Sequence, residues 1–147
     1  MSHSPIADDE LRALFEQESR EHLNGIESII LSLETQFGDT ELEQRILREA
    51  HSLKGAARML DLAAIELLSH HFESSLKQLF AGEEKLSAAG VKTYLQVVDA
   101  IRSLVDNALG LTEHAVDVDH WVARLQADRF FTDLSGSASG AEVESGP

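Results

Sequence analysis

Between Pro5 and Pro147 the chain contains no proline. Proline inside a helix costs about 3 kcal/mol, so its absence over this length leaves long helices unbroken. The apolar residues agree, recurring every three or four positions where a strand would need every second. No two alternating apolar runs flank a hairpin turn, so no sheet is expected. The fold class is all-α.

Four stripes define the helices. Leu11, Phe15, Ile26, Ile29, Ile30 and Leu33 place the first over 9–36, stopped by Gly38, Asp39 and Thr40. Leu42, Ile46, Ala50, Leu53, Ala57 and Leu60 place the second, with Thr40 as its expected N-cap and Asp61 at its end. Leu62, Ile65, Leu68, Phe72, Leu76 and Leu79 form the third, capped by Asp61 and closed at Gly82. Val91, Leu95, Val98, Ile101, Val105 and Leu109 form the fourth, which ends at Gly110. Short connections make neighbours antiparallel, giving an up-and-down four-helix bundle. A fifth, C-terminal helix over 118–128, with Trp121, Val122 and Leu125 on one side, is expected to pack on the outside. Residues 1–8 read as a flexible start and 9–134 as one domain. The small, polar run 135–147 reads as the beginning of a disordered linker, because it has too little apolar surface to offset its ordering entropy.

With 147 residues the chain can bury a core without staples, and it has no cysteine. That excludes disulfides, thiolate metal sites and a cysteine nucleophile, and it fits a cytoplasmic location. No basic patch precedes an apolar run at the N-terminus, and no apolar stretch approaches the roughly 20 residues of a bilayer span, so membrane insertion is not expected. A net charge of -14, from 26 acidic and 12 basic residues, disfavours nucleic acid and anionic lipid as partners.

The second helix carries the residues that call for chemistry. At about 100° per residue, His51 stands roughly 150° from the stripe of Ile46, Ala50, Leu53 and Ala57, and so faces water. Lys54 and Arg58, three and seven positions on, share its side. Leu47, one turn earlier, is apolar there without serving the core. Gly55 costs a helix about 1 kcal/mol relative to alanine, and its missing side chain opens room for a partner's backbone or a bulky phosphoryl donor. On the third helix Glu66, His70, Glu73 and Lys77 share one flank, which an antiparallel pairing lays alongside His51, so that Glu73 or His70 comes within reach of it. A carboxylate that accepts the Nδ1 proton fixes the imidazole tautomer and leaves Nε2 as a nucleophile. Lys54 and Arg58 are suited to hold the charges of a phosphoryl group. Taken alone, the same residues also fit an ordinary solvated helix face.

The run His51, Ser52, Leu53, Lys54, Gly55, followed by His70, His71, Phe72 and Glu73, resembles histidine phosphotransfer (Hpt) domains, most closely the N-terminal phosphotransfer domain of CheA-type chemotaxis kinases. The likeness extends from about Leu14 to Leu109. It implies that His51 is the phosphoacceptor, that Glu73 orients it, and that Lys54 and His70 support the transfer. Leu47, Gly55 and Arg58 are then expected on the partner-binding surface. The resemblance further implies an ATP-dependent histidine kinase domain, in the same chain or another, as the source of phosphate. The destination it implies is the aspartate of a response regulator receiver domain with its own Mg²⁺. No cofactor is expected in this chain itself, since neither G-x-x-x-x-G-K-[ST] nor G-x-G-x-x-G occurs, and the isolated domain is expected to be monomeric. Two departures stand out: Ala56, Ala57 and Arg58 follow the Lys-Gly pair, and Asp61 occupies a position where the family commonly has glycine.

Two other classes compete. A metal-binding bundle needs Glu-x-x-His pairs aimed inward. No glutamate here precedes a histidine by three, and the adjacent His70 and His71 diverge by about 100°, so no metal is expected. A helical docking module without phosphotransfer would use Leu47 and Gly55 equally well. His3, His22, His114 and His120 are expected to be surface or packing residues, Glu66 and Lys77 solvated charges, and Trp121 an anchor for the last helix.

Overall fold

The computed structural model describes residues 4–82 and 85–127. Five helices follow one another, α1 (Asp9–Leu33), α2 (Thr40–Met59), α3 (Ala63–Gly82), α4 (Ala88–Ala108) and α5 (Val118–Ala127), with no strand among the described residues. The first four form an antiparallel bundle. Arg20 reaches Asp106 at 3.0 Å while Arg102 reaches Glu27 at 2.5 Å, so α1 and α4 run in opposite directions. His51 meets Glu73 and Arg58 meets Glu66 in the same crossed order between α2 and α3. α1 packs on α2 and α4, and α3 packs on α2, α4 and the short α5.

The stripes close on one another as apolar burial requires. Leu23, Ile30, Ile46, Leu68 and Ile101 lose all contact with solvent. Phe72 and Tyr94 meet edge to face at 5.2 Å between ring centroids, and the Tyr94 hydroxyl lies 2.8 Å from Ser75 Oγ. Burial pushes the Tyr94 phenol far above its usual pKa, so this hydroxyl stays protonated. These contacts fix the rotation of α3 about its axis, which aims the next residue after Phe72, Glu73, at α2.

Helix ends differ from expectation for identifiable reasons. α1 stops at Leu33 and not at Gln36: Thr35 donates its N–H only three residues back, to the Ser32 carbonyl, the tighter turn in which helices commonly end. The N-cap of α2 is Asp39, not Thr40: its carboxylate accepts from the N–H groups of Glu41 and Leu42, where a negative charge also complements the helix dipole. Asp61 does not cap α3. It adopts φ 57° just beyond α2, donating its N–H to the Arg58 carbonyl while Leu62 donates to Ala57, the paired closure that ends many helices. Glycine is favoured at such a left-handed position, and aspartate is among the few other residues that visit it, which accounts for this departure from the family pattern.

Leu11 leaves the predicted stripe and is 46% exposed. Ile6 is buried instead, delivered by the segment expected to be a flexible start. Ser4 Oγ donates to the Ala108 carbonyl at 2.5 Å, and Arg12 donates to the Ile6 carbonyl at 2.8 Å. His3, the expected end of the fifth helix at Asp128 and the linker residues 135–147 lie outside the described residues. No helix among the described residues is long and apolar enough to cross a membrane.

Candidate functional site

α2 buries Ile46, Ala50, Leu53 and Ala57 and thereby turns His51 outward, its side chain 67% exposed. α3 supplies the counterpart from a buried position, since the Glu73 side chain keeps only 7% of its surface in water. His51 Nδ1 lies 3.3 Å from Glu73 Oε2, Lys54 Nζ lies 2.9 Å from Glu73 Oε1, and Lys77 Nζ lies 3.5 Å from Oε2. One carboxylate thus joins a histidine and two ammonium groups from two helices.

The electrostatics decide the histidine's tautomer. Burial raises the pKa of Glu73, but Lys54, Lys77 and His51 together outweigh it and hold the carboxyl below its usual value. At neutral pH Glu73 is therefore ionised and can only accept hydrogen bonds. The proton between the two residues must sit on His51 Nδ1, leaving the Nε2 lone pair free in the neutral ring. That lone pair is on the exposed side of an imidazole whose other nitrogen is anchored, a geometry suited to taking an electrophile from outside.

The two lysines differ in kind. Lys54 is mostly buried and sits on Oε1, where it neutralises Glu73. Lys77 was read as a solvated charge, yet it shares Oε2 with His51 and remains 63% exposed. Its signal was present in the sequence, because Lys77 follows Glu73 by four residues and such pairs face each other on a helix. What the spacing could not show was that Glu73 is also the partner of His51.

His70 lies one turn before Glu73 but makes no hydrogen bond or ion pair with the described residues. Its ring stands edge-on to His71, 5.2 Å between centroids. His71 is the more buried of the two, and burial followed by the proximity of His70 lowers its pKa. Of the expected partner-binding residues, Arg58 is 80% exposed with only a 3.9 Å approach to Glu66, Leu47 is half-buried, and a Cβ added at Gly55 would meet nothing within 4 Å. His22, expected to be a surface or packing residue, pairs across α1 and α2 with Glu49 at 2.5 Å. Gly25 makes room for that carboxylate: a Cβ there would lie 3.0 Å from Glu49 Oε2. His120 stacks edge-on against Trp121 at 4.7 Å. Among the described residues no three His, Asp or Glu side chains gather as a metal site would require.

Comparison with known proteins follows the same outline. The family model described as Hpt domain matches residues 10–128. The chain is 29% identical over 133 residues to a chemotaxis protein CheA of Treponema pallidum, covering 90% of this chain and 16% of that protein. It is 25% identical over 132 residues to a chemotaxis protein CheA of Bacillus subtilis, covering 90% and 20%. A gliding motility regulatory protein of Myxococcus xanthus is 35% identical over 98 residues, covering 65% of this chain and 12% of that protein. The chain thus spans a fifth or less of the length of these relatives.

Proposed function

The chain belongs to the Hpt domain family, and on that premise we propose that it is a phosphorelay intermediate of a chemotaxis-type two-component system in which His51 carries the phosphoryl group. The observation that carries this reading is a solvent-exposed imidazole whose Nδ1 faces a buried, ionised carboxylate.

Nε2 attacks the terminal phosphorus of ATP held by a histidine kinase domain; the Nε2–P bond forms, the bond to the bridging oxygen breaks, and ADP leaves with that electron pair. Nδ1 keeps its proton throughout. The phosphorylated ring is cationic, and the Glu73 carboxylate stabilises that charge through Nδ1–H. In the second step a carboxylate oxygen of a receiver-domain aspartate attacks phosphorus, and the N–P electron pair returns to Nε2. Lys54 keeps Glu73 charged, while Lys77, exposed and only loosely bound to Oε2, swings to the phosphoryl oxygens. His70 lies within the region that the kinase or the receiver covers, as do Leu47, Gly55 and Arg58. ATP and Mg²⁺ belong to the partner proteins, and the relay operates in the cytoplasm.

Labelling with phosphoramidate, a small donor that needs no docking, tests the assignment. Wild type takes one acid-labile phosphoryl group, and His51→Gln takes none while its helicity and melting temperature remain those of wild type. Label persisting on a histidine of that variant overturns the choice of His51.

A further inference from the structure

Positive charge is scarce in this chain, and its placement is uneven. The 20 residues of α2 hold Arg45, Arg48, Lys54 and Arg58, out of 12 Lys and Arg in a molecule of net charge -14. Elsewhere among the described residues Arg20 is neutralised by Asp106 and Glu16, Arg102 by Glu27 and Arg12 by Asp9, and Arg124 donates to Thr93 Oγ1. Arg45 and Arg48 are exposed, and their side chains make no hydrogen bond or ion pair with the described residues. Glu41 and Glu49 each stand four residues from Arg45, but neither pairs with it; Glu49 is turned the other way, seated over Gly25 and bonded to His22.

We propose that Arg45, Arg48 and Arg58 form a docking strip for the protein that drains His51, which lands with an acidic face around its acceptor carboxylate. The inference rests on reading His51 as the phosphoacceptor. At about 100° per residue Arg58 lies roughly 20° from His51 around the helix, toward Lys54, whereas Arg48 and Arg45 lie roughly 60° and 120° from it on the opposite side, so the three arginines flank His51. Arg48 and Arg58 bracket His51 over about 15 Å of helix, a span that fits a protein face and exceeds a single phosphate. A partner that drains His51 must bring a carboxylate to Nε2. Nucleic acid and lipid headgroups with phosphate alone cannot do that, and the overall negative field repels both at a distance. A protein with an acidic face around one carboxylate gains local attraction from the strip and a faster, oriented encounter.

The test loads wild type and the triple variant Arg45→Gln, Arg48→Gln, Arg58→Gln with phosphoramidate. Each phosphorylated form is then mixed with the receiver domain that wild type phosphorylates fastest. Expected is a transfer rate lowered roughly tenfold or more in the variant at low ionic strength, with the gap closing as salt screens the strip. Lys92→Gln, which removes an exposed cation on α4, leaves the rate at the wild-type value. Equal rates and equal salt slopes for wild type and triple variant overturn the inference, provided the variant melts as wild type does. So does a variant that drains normally but loads slowly from the kinase domain, because the strip then serves the phosphodonor. If wild type takes no label from phosphoramidate, the phosphoacceptor reading itself is wrong and the strip falls with it.

Discussion

The carboxylate of Glu73 is shared by groups that would each use it differently. Lys54 occupies Oε1 at 2.9 Å, whereas Lys77 and His51 divide Oε2 at 3.5 and 3.3 Å. Removing the inner cation should leave a buried negative charge uncompensated, so Lys54→Met is expected to lower stability by about 3 kcal/mol. Lys77→Met removes a largely exposed partner and is expected to change stability by less than about 0.5 kcal/mol. It should nevertheless lower the equilibrium loading of His51 by phosphoramidate about tenfold, the worth of one charge-assisted hydrogen bond to the phosphoryl group. Urea unfolding and a labelling titration read the two effects separately, and a reversal of roles between the lysines would show in both. Glu73 also makes stability depend on pH. Its folded pKa lies below the ordinary 4.5, so its contribution is complete above that value and disappears as pH falls from there through the lower folded value. Unfolding free energy measured below pH 4.5 should therefore decline more steeply in wild type than in Glu73→Gln, and parallel curves would mean that the folded carboxyl is not depressed.

Along α2 the same physics separates a residue kept for stability from one kept for access. Gly55 stands in mid-helix with open space where a Cβ would go, and Asp61 sits at φ 57° beyond the helix end. Gly55→Ala should gain up to about 1 kcal/mol from helix propensity, and Asp61→Gly should gain a similar or smaller amount by relieving the left-handed backbone. Thermal melts check both gains. Transfer to the receiver domain distinguishes them, because the added methyl at Gly55 stands where a partner approaches His51, whereas Asp61→Gly should transfer at the wild-type rate. Unimpaired transfer by Gly55→Ala would leave the glycine without a functional reason. The helices themselves were legible because each carries one stripe at three-four spacing and no internal proline. Their ends were not, since the choice between Asp39 and Thr40 as N-cap depends on which side chain meets the free N–H groups. Asp61 was misread for a related reason: an aspartate between two helices suits either the close of one or the start of the next, and only φ decides. The outward face of His51 was legible from a helical wheel because it depends on where Cα–Cβ points; the wheel left Glu73 and His70 both within reach of it, and the family resemblance singled out Glu73. Lys77 shares the flank of Glu73 on that wheel, but its link to His51 was not legible, because it depends on one Glu73 oxygen facing both residues.

At the scale of the whole molecule, a surplus of acidic groups leaves few cations to spare, and those are distributed by task. Arg20 and Arg102 tie α1 to α4, Lys54 and Lys77 serve Glu73 between α2 and α3, and Arg45 and Arg48 remain in water beside His51. The sign of the net charge was plain in the sequence, but this division was not, because it depends on which carboxylates the packing makes available. Glu49 illustrates the point, since its neighbour in sequence is an arginine while its partner in space is His22. A chain at -14 repels itself when folded. Screening should relieve that repulsion faster than it weakens half-buried ion pairs, so adding salt to about 0.5 M is expected to raise the melting temperature by a few degrees. The same salt should slow transfer to an acidic partner, because attraction across the docking face is screened as well. Stability and transfer rate followed together through one salt titration should therefore move in opposite directions. If both fall, the interhelical ion pairs outweigh the self-repulsion, and the acidic surplus has no measurable effect on the fold.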